Sequence, residues 1–288
     1  MDGKIFDIYR YFCYKFIYVF RKKGKEKKMK IVRYLEEDKI NYGVLEEGKI
    51  HQIEGDVFGT FSLSSHKVKR EKVKLLIPVV PPDIIAIGLN YKKHADEGGQ
   101  AYPEKPLIFI KLTSSLIGPE DKIVLPKVAP DEVDYEAELV IVIGKKAKNI
   151  EIDDVDKYIL GYTCGNDVSA RECQLRLDKQ WARGKSFDTF CPLGPWIETE
   201  LSNPDNCRII SRLNGKVMQD SNTSDMIFGT RELVSFCSKN FTLYPGTIIM
   251  SGTPEGVGFV RKPPVFLRPG DTSEIEIKGI GKLTNQVI

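Results

Sequence analysis

The run Glu138-Leu139-Val140-Ile141-Val142-Ile143-Gly144 constrains this chain more than any other segment. Consecutive aliphatic residues, mostly β-branched and closed by a glycine, read as a strand that is apolar on both faces. Such a strand needs a sheet around it and cover on both sides. Just ahead of it stands Asp134-Tyr135-Glu136-Ala137-Glu138. Side chains alternate along a strand, so Glu136 and Glu138 share one face, about 7 Å apart, and Tyr135, Ala137 and Leu139 share the other. An E-x-E pair ordinarily decorates a solvated sheet face. Here the strand runs into a segment that demands burial, and buried carboxylates without a cation are costly. Two carboxylates on one face can instead converge on a single ion.

Other strand-like runs lie at 84–89 (IIAIGL), 107–112 (LIFIKL), 122–126 (KIVLP), 158–164 (YILGYTC), 246–252 (GTIIMSG), 265–267 (VFL) and 273–283 (SEIEIKGIGKL). Helical periodicity is convincing only around Val168–Arg183 and Arg231–Asn240, so the fold class is α+β and β-dominated. Residues 29–75 alternate short β-like runs with glycines and end in a Gly/Ser-rich turn region, which suggests a small N-terminal β domain. The proline-bearing stretch Leu75–Asp83 forms the linker to a main domain over 84–288.

Residues 1–28 stand apart. Tyr11–Phe20 is apolar and aromatic, and Arg21–Lys28 is almost all cation. A membrane span needs about 20 apolar residues, and a secretory signal carries its charge before the apolar stretch rather than after it. An amphipathic anchor with a basic patch is one reading; the reading adopted is a dispensable extension, with no membrane partner. The first 30 residues hold ten Lys/Arg and three Asp/Glu, a balance of +7, which leaves −4 for the other 258 residues of a chain of net charge +3. A mildly acidic body gives no reason to expect a nucleic-acid partner. The cysteines Cys13, Cys164, Cys173, Cys191, Cys207 and Cys237 form no C-x-x-C pair. They read as small buried residues with reduced thiols, which places the protein in the cytoplasm.

A third acid, Asp167 in GYTCGNDVSAR, stands where a strand ends and a helix would begin, so alone it reads as a helix N-cap. Joined to Glu136 and Glu138 it makes an all-oxygen donor set, which suits Mg²⁺ or Mn²⁺ rather than zinc. His94 and Glu97 form an H-x-x-E pair, and on a helix they share a face. A carboxylate that orients an imidazole makes it a better base for activating water. Gly98-Gly99 after it is hinge-like, compatible with a lid. Lys185 is a candidate cation for a developing enolate oxygen. The Gly-rich stretch Ser251–Gly258 lacks the Lys-Ser/Thr of a phosphate loop.

The segments GLNYKKHADE, DYEAELVIVIGK, GYTCGNDVSARECQ, GKSFDTFCPLGPWI, LYPGTIIMSGTPEGVG and FLRPGDTSEIEIKGIGKLTNQV together resemble the fumarylacetoacetate hydrolase family, in that family's order and over most of 84–288. The resemblance implies a mixed β-roll catalytic domain, usually in a homodimer, acting on a small-molecule 2-oxo acid. It implies Glu136, Glu138 and Asp167 as ligands of Mg²⁺ (or Mn²⁺) and Lys185 at the substrate and enolate. Arg171 and Gln174 would line the substrate site, Thr253 would bind its carboxylate, and His94 and Glu97 would be the water-activating dyad on a lid. Because the dyad is most useful to a reaction that consumes water, the expected activity is hydrolysis of a C–C bond in acylpyruvate-type 2,4-dioxo acids. The alternative is decarboxylation, tautomerisation or isomerisation of a dicarboxylic 2-oxo acid such as oxaloacetate or 2-hydroxyhepta-2,4-diene-1,7-dioate. A binding protein on a retained scaffold would have lost a ligand acid or the dyad, and neither is lost.

Overall fold

In the computed structural model, which describes residues 28–288, the aliphatic run is the strand Ala137–Ile143, and all of its residues are buried. Alternate residues enter two different cores. Leu139, Ile141 and Ile143 pack with Ile209, Ile275, Ile277 and Leu283, whereas Val140 and Val142 pack with Ile31, Leu193, Ile197 and Ile248. A strand polar on one side could not have occupied this position, because each face of the sheet is covered.

The strand lies within a 12-stranded sheet. Its order is Phe61–Lys69, Lys49–Gly55, Lys39–Glu46, Lys30–Glu36, Cys191–Glu198, Ile159–Asn166, Ala137–Ile143, Ile248–Met250, Ile84–Gly88 and Leu107–Lys111, with Lys74–Leu75 and Leu116–Ile117 pairing off this path. Most neighbours are antiparallel; Ile248–Met250 beside Ile84–Gly88 is parallel, so the sheet is mixed. A second sheet runs Lys216–Asn222, Arg208–Leu213, Thr272–Ile277, Gly281–Val287 and Lys122–Ile123. The helix Thr230–Asn240 closes the first core with Leu233, Val234 and Cys237. Its start is fixed by Glu232, whose carboxylate accepts the Gly229 N–H at 2.8 Å. The β-dominated α+β reading therefore holds.

Several local expectations do not. The stretch Val168–Arg183 is not one helix. It is the short strand Ser169–Ala170, a π-helical turn Cys173–Leu177 and the helix Ala182–Lys185. Val168 and Ala170 are drawn into a third core with Val133 and Tyr135, and Ala170 pairs with Val133, so tertiary pairing overrides the helical spacing. Asp167 is consequently not an N-cap. Val265–Leu267 forms no strand, being tied by the single bonds Val265 N–H to Gly258 O and Leu267 N–H to Val133 O. Part of the Gly/Ser-rich region instead forms the strand Phe61–Lys69. The strand Cys191–Glu198 carries no strand signal in its sequence, because Pro192, Gly194 and Pro195 interrupt any apolar pattern.

That strand joins the N-terminal residues to the rest: Lys30 pairs with Glu198 and Ile31 with Ile197. The five described cysteines are buried and unpaired; Cys13 and the aromatic and basic runs of residues 1–27 lie outside the described residues. Met29 donates its N–H to Thr199 Oγ1 at 3.0 Å, while Lys28 contributes one half-exposed ammonium 3.6 Å from Glu198. The Glu198 carboxylate is itself buried and keeps the Glu200 N–H, and the free α-ammonium of a chain starting at Met29 supplies a cation one residue along. A chain beginning at Met29 is therefore expected to fold with an unchanged thermal midpoint, to within about 2 °C, and full activity. Aggregation or inactivity of that truncation would place the extension within the fold.

Candidate active site

The pairing of Ala137–Ile143 with Ile159–Asn166 builds the site. Ala137 faces Asn166 and Glu138 faces Gly165, and beyond the last rung the Asp167 N–H donates to Glu136 O while the Glu136 N–H donates to Asn166 Oδ1. Acids that are far apart in sequence thus meet at one strand end. A carboxylate oxygen from each of Glu136, Glu138 and Asp167 lies within 4.8 Å of the others, and all three residues are buried.

Cations answer two of the three. Lys185 Nζ lies 2.7 Å from both Glu136 Oε2 and Asp167 Oδ2. Arg171 holds Glu136 Oε1 at 2.7 Å. Lys111, which sequence reasoning missed, reaches Asp167 Oδ1 at 2.5 Å with a fully buried ammonium; the signal was a lysine ending the apolar strand Leu107–Lys111. Burial pushes the Glu136 carboxyl up, but Lys185 and Arg171 outweigh it and hold its pKa at about 2. Burial would lower the Lys185 ammonium, yet Asp167 and Glu136 raise it. Glu138 has no cation of its own among the described residues and accepts only the Gly252 N–H, at 2.9 Å. Burial, then the charges of Asp167 and Glu136, raise its pKa well above the carboxylate range. Gly252 is required here. Its φ is +93°, and a Cβ would stand 2.8 Å from Asn90 Cβ.

Counting Asp134, which pairs with Arg171 at 2.8 Å, four buried carboxylates meet the three cations Lys111, Arg171 and Lys185. The surplus negative charge, the all-oxygen donor set and the close approach of three carboxylates fit a hard divalent cation.

The triad floors a cleft whose space, counting the solvent at its mouth, is about 510 Å³; His94, Arg171, Gln174, Lys185 and Thr253 wall it, and Phe109, Trp181 and Phe259 supply aromatic surface. Every residue expected at the site except Glu97 lines this cleft, and Glu97 stands behind His94. The pair lies on the helix Lys92–Glu97, with His94 Nδ1 2.8 Å from Glu97 Oε1. A carboxylate only accepts, so Nδ1 carries a proton, and in the neutral imidazole it is Nε2 that offers a lone pair. The Gly256 N–H donates to Glu97 at 2.9 Å, and the Lys93 N–H to Asp225 at 3.0 Å, which seat the helix on its neighbours. Gly99, at φ +61°, ends it. Arg171 lines the cleft while its guanidinium is also engaged by Asp134, Glu136 and Gln174. Thr253 Oγ1 accepts from Gln219, whose own carbonyl accepts the Ala137 N–H. Gln219 is a buried tie between the loop and the strand, and nothing in its sequence surroundings marks it.

The family model described as fumarylacetoacetate (FAA) hydrolase C-terminal matches residues 83–288. The chain belongs to the fumarylacetoacetate hydrolase family. A second family model, Rv2993c-like N-terminal, matches residues 29–78. Among curated members of the family, the chain is 48% identical over 224 residues to "Oxaloacetate tautomerase Fahd2a, mitochondrial" of Rattus norvegicus, covering 77% of this chain and 71% of that one. It is also 48% identical to "Fumarylacetoacetate hydrolase domain-containing protein 2 homolog" of Dictyostelium discoideum, over 78% of each. Among solved structures, 5-carboxymethyl-2-hydroxymuconate delta-isomerase from Mycobacterium smegmatis superposes with a TM-score of 0.82 at 40% identity, over 90% of this chain and 99% of that one. These names favour the tautomerase and isomerase alternative over C–C hydrolysis. The rat relative is mitochondrial by name, which does not fit the cytoplasmic placement expected from the thiols. No helix among the described residues is long and apolar enough to cross a membrane.

Proposed function

We propose that this enzyme tautomerises a dicarboxylic 2-oxo acid of the oxaloacetate type, with Mg²⁺ or Mn²⁺ held by Glu136, Glu138 and Asp167. The observation that carries the reading is the likeness, at 48% identity, to a relative named oxaloacetate tautomerase, in a chain that keeps an oriented His–Glu pair beside a buried acid triad. A bound divalent cation would withdraw charge from the 2-oxo group and acidify the protons at C3. It would also offset the surplus negative charge of the floor, which would otherwise repel a dianion. His94 takes or returns the C3 proton at Nε2, because Glu97 fixes its Nδ1–H. Lys185 has three protons, two of them committed to Glu136 and Asp167. The third is available to the 2-oxygen, where charge develops as the C3 proton leaves. Gln174 and Thr253 add polar contacts for the substrate's carboxylates.

A second reading is hydrolysis of an acylpyruvate, with the same Nε2 taking its proton from water. It is favoured by the aromatic wall, in which Phe109 and Trp181 meet edge to face at 5.6 Å and could receive an acyl group. Turnover of enol-oxaloacetate and of a panel of acylpyruvates, with Mg²⁺ and with EDTA, separates the two. The expected result is metal-dependent ketonisation at least tenfold faster, in kcat/KM, than cleavage of any acylpyruvate, a difference of about 1.4 kcal/mol in barrier. Cleavage without ketonisation would reverse the order.

A further inference from the structure

Asp134 lies two residues before the first triad acid, is fully buried, and lies outside both the triad and the cleft lining. Its carboxylate nevertheless receives donors from three separate segments. Oδ1 accepts the N–H groups of Tyr135 and Gly258, each at 2.8 Å. Oδ2 accepts the Phe259 N–H at 3.0 Å and Arg171 Nε–H at 2.9 Å, and pairs with the second terminal nitrogen of that guanidinium at 2.8 Å. The remaining terminal nitrogen of Arg171 holds Glu136 at 2.7 Å and Gln174 at 2.9 Å, and the guanidinium carbon lies 4.4 Å from the centre of the Phe259 ring. Gly258 permits this approach, since a Cβ there would stand 2.5 Å from Asp134 Oδ1 and 1.9 Å from Val265 O.

We propose that Asp134 is a positioning residue of the site: through Arg171 it fixes the direction of Glu136, and through Gly258 and Phe259 it holds the Gly-rich loop against the same guanidinium. The donors around it call for an acceptor oxygen on each side, which a carboxylate supplies. The groups around Oδ2 all donate, so an amide at this position either turns its NH₂ into donors or offers a weaker neutral acceptor. With one arm of the fork loosened, Arg171 keeps its charge but loses the planar two-sided geometry that aims Glu136. The inference rests on the cation-binding part of the functional reading and not on which reaction follows.

The test is Mn²⁺ binding to the full-length chain, followed by electron paramagnetic resonance, in wild type, Asp134→Asn, Arg171→Lys and the double variant, with thermal unfolding of each. Loss of an outer partner of a metal ligand typically costs 10–100-fold in affinity. Asp134→Asn is expected to raise the Mn²⁺ Kd by about that factor and to alter the line shape of the bound ion, in a folded protein. Arg171→Lys should do the same, and the double variant should be no worse than Arg171→Lys alone, because one link has been cut twice. A folded Asp134→Asn with wild-type affinity and line shape overturns the proposal, as do losses that multiply in the double variant. Should Asp134→Asn fail to fold, Arg171→Lys reads the link from its other end, and wild-type Mn²⁺ binding there overturns it equally. No substrate enters these measurements, so failure of the tautomerase reading would leave their outcome standing.

Discussion

Glu138→Gln is expected to abolish turnover, to weaken Mg²⁺ or Mn²⁺ binding by at least two orders of magnitude, and to leave the metal-free protein as stable as wild type or more so. The first two effects follow from removing an anionic ligand from a three-carboxylate set. The third follows from the position of Glu138. Its carboxyl is buried, it accepts a single bond from Gly252, and no cation pairs with it among the described residues. Burial and the charges of Asp167 and Glu136 raise its pKa in the folded state. A raised carboxyl pKa means that the folded chain binds this proton more tightly than the unfolded chain. Its contribution is therefore fully present below the unfolded value and is lost as pH rises through the folded one. At neutral pH the metal-free fold must either bury this charge or hold a proton that the unfolded chain releases, and a neutral amide avoids both costs. Thermal unfolding in EDTA near pH 7 checks this directly. A marked drop in midpoint for Glu138→Gln would show that the carboxylate stabilises the fold, and full activity after exhaustive chelation would remove the metal from the mechanism.

His94→Ala is expected to slow the catalysed proton transfer by roughly 10²–10⁴-fold, the usual worth of a positioned acid–base group, with Mg²⁺ affinity unchanged. His94 lines the cleft but is not among the acids that approach one another there. Its partner Glu97 should matter less. Glu97→Gln keeps one acceptor oxygen, which can still take Nδ1–H, while its NH₂ faces the Gly256 N–H and the charge that strengthens the base is gone. Comparing enol-oxaloacetate ketonisation with acylpyruvate cleavage in the His94 variant at saturating Mg²⁺ shows which proton the imidazole moves. Loss confined to cleavage would assign His94 to water, and loss confined to ketonisation would assign it to C3. Weaker Mg²⁺ binding in this variant would contradict the separation of base and triad altogether.

Much of this was legible in the residues. An aliphatic run that is apolar on both faces has one comfortable environment, the middle of a covered sheet, so Ala137–Ile143 and the burial of the neighbouring acids followed from composition and alternation alone. The wording of the motifs then brought His94, Lys185, Arg171, Gln174 and Thr253 to the same cleft, where the structure places them. Other features belong to the tertiary structure because their causes are not local. Val168–Arg183 has helical spacing, but Val168 and Ala170 are packed with Val133 and Tyr135, and Ala170 pairs with Val133, contacts that come from outside the segment. Cys191–Glu198 is a strand despite two prolines and a glycine, because strands on either side of it, Lys30–Glu36 and Ile159–Asn166, supply the pairing that its own sequence does not call for. Lys111 and Asp134 follow the same logic. A lysine and an aspartate are ordinary surface residues until the fold buries them 2.5 Å from Asp167 and 2.9 Å from Arg171. Alternation and apolarity are properties of a segment and can be read from it. The partner that neutralises a buried charge comes from residues 37 to 56 positions away, and only the folded chain brings the two together.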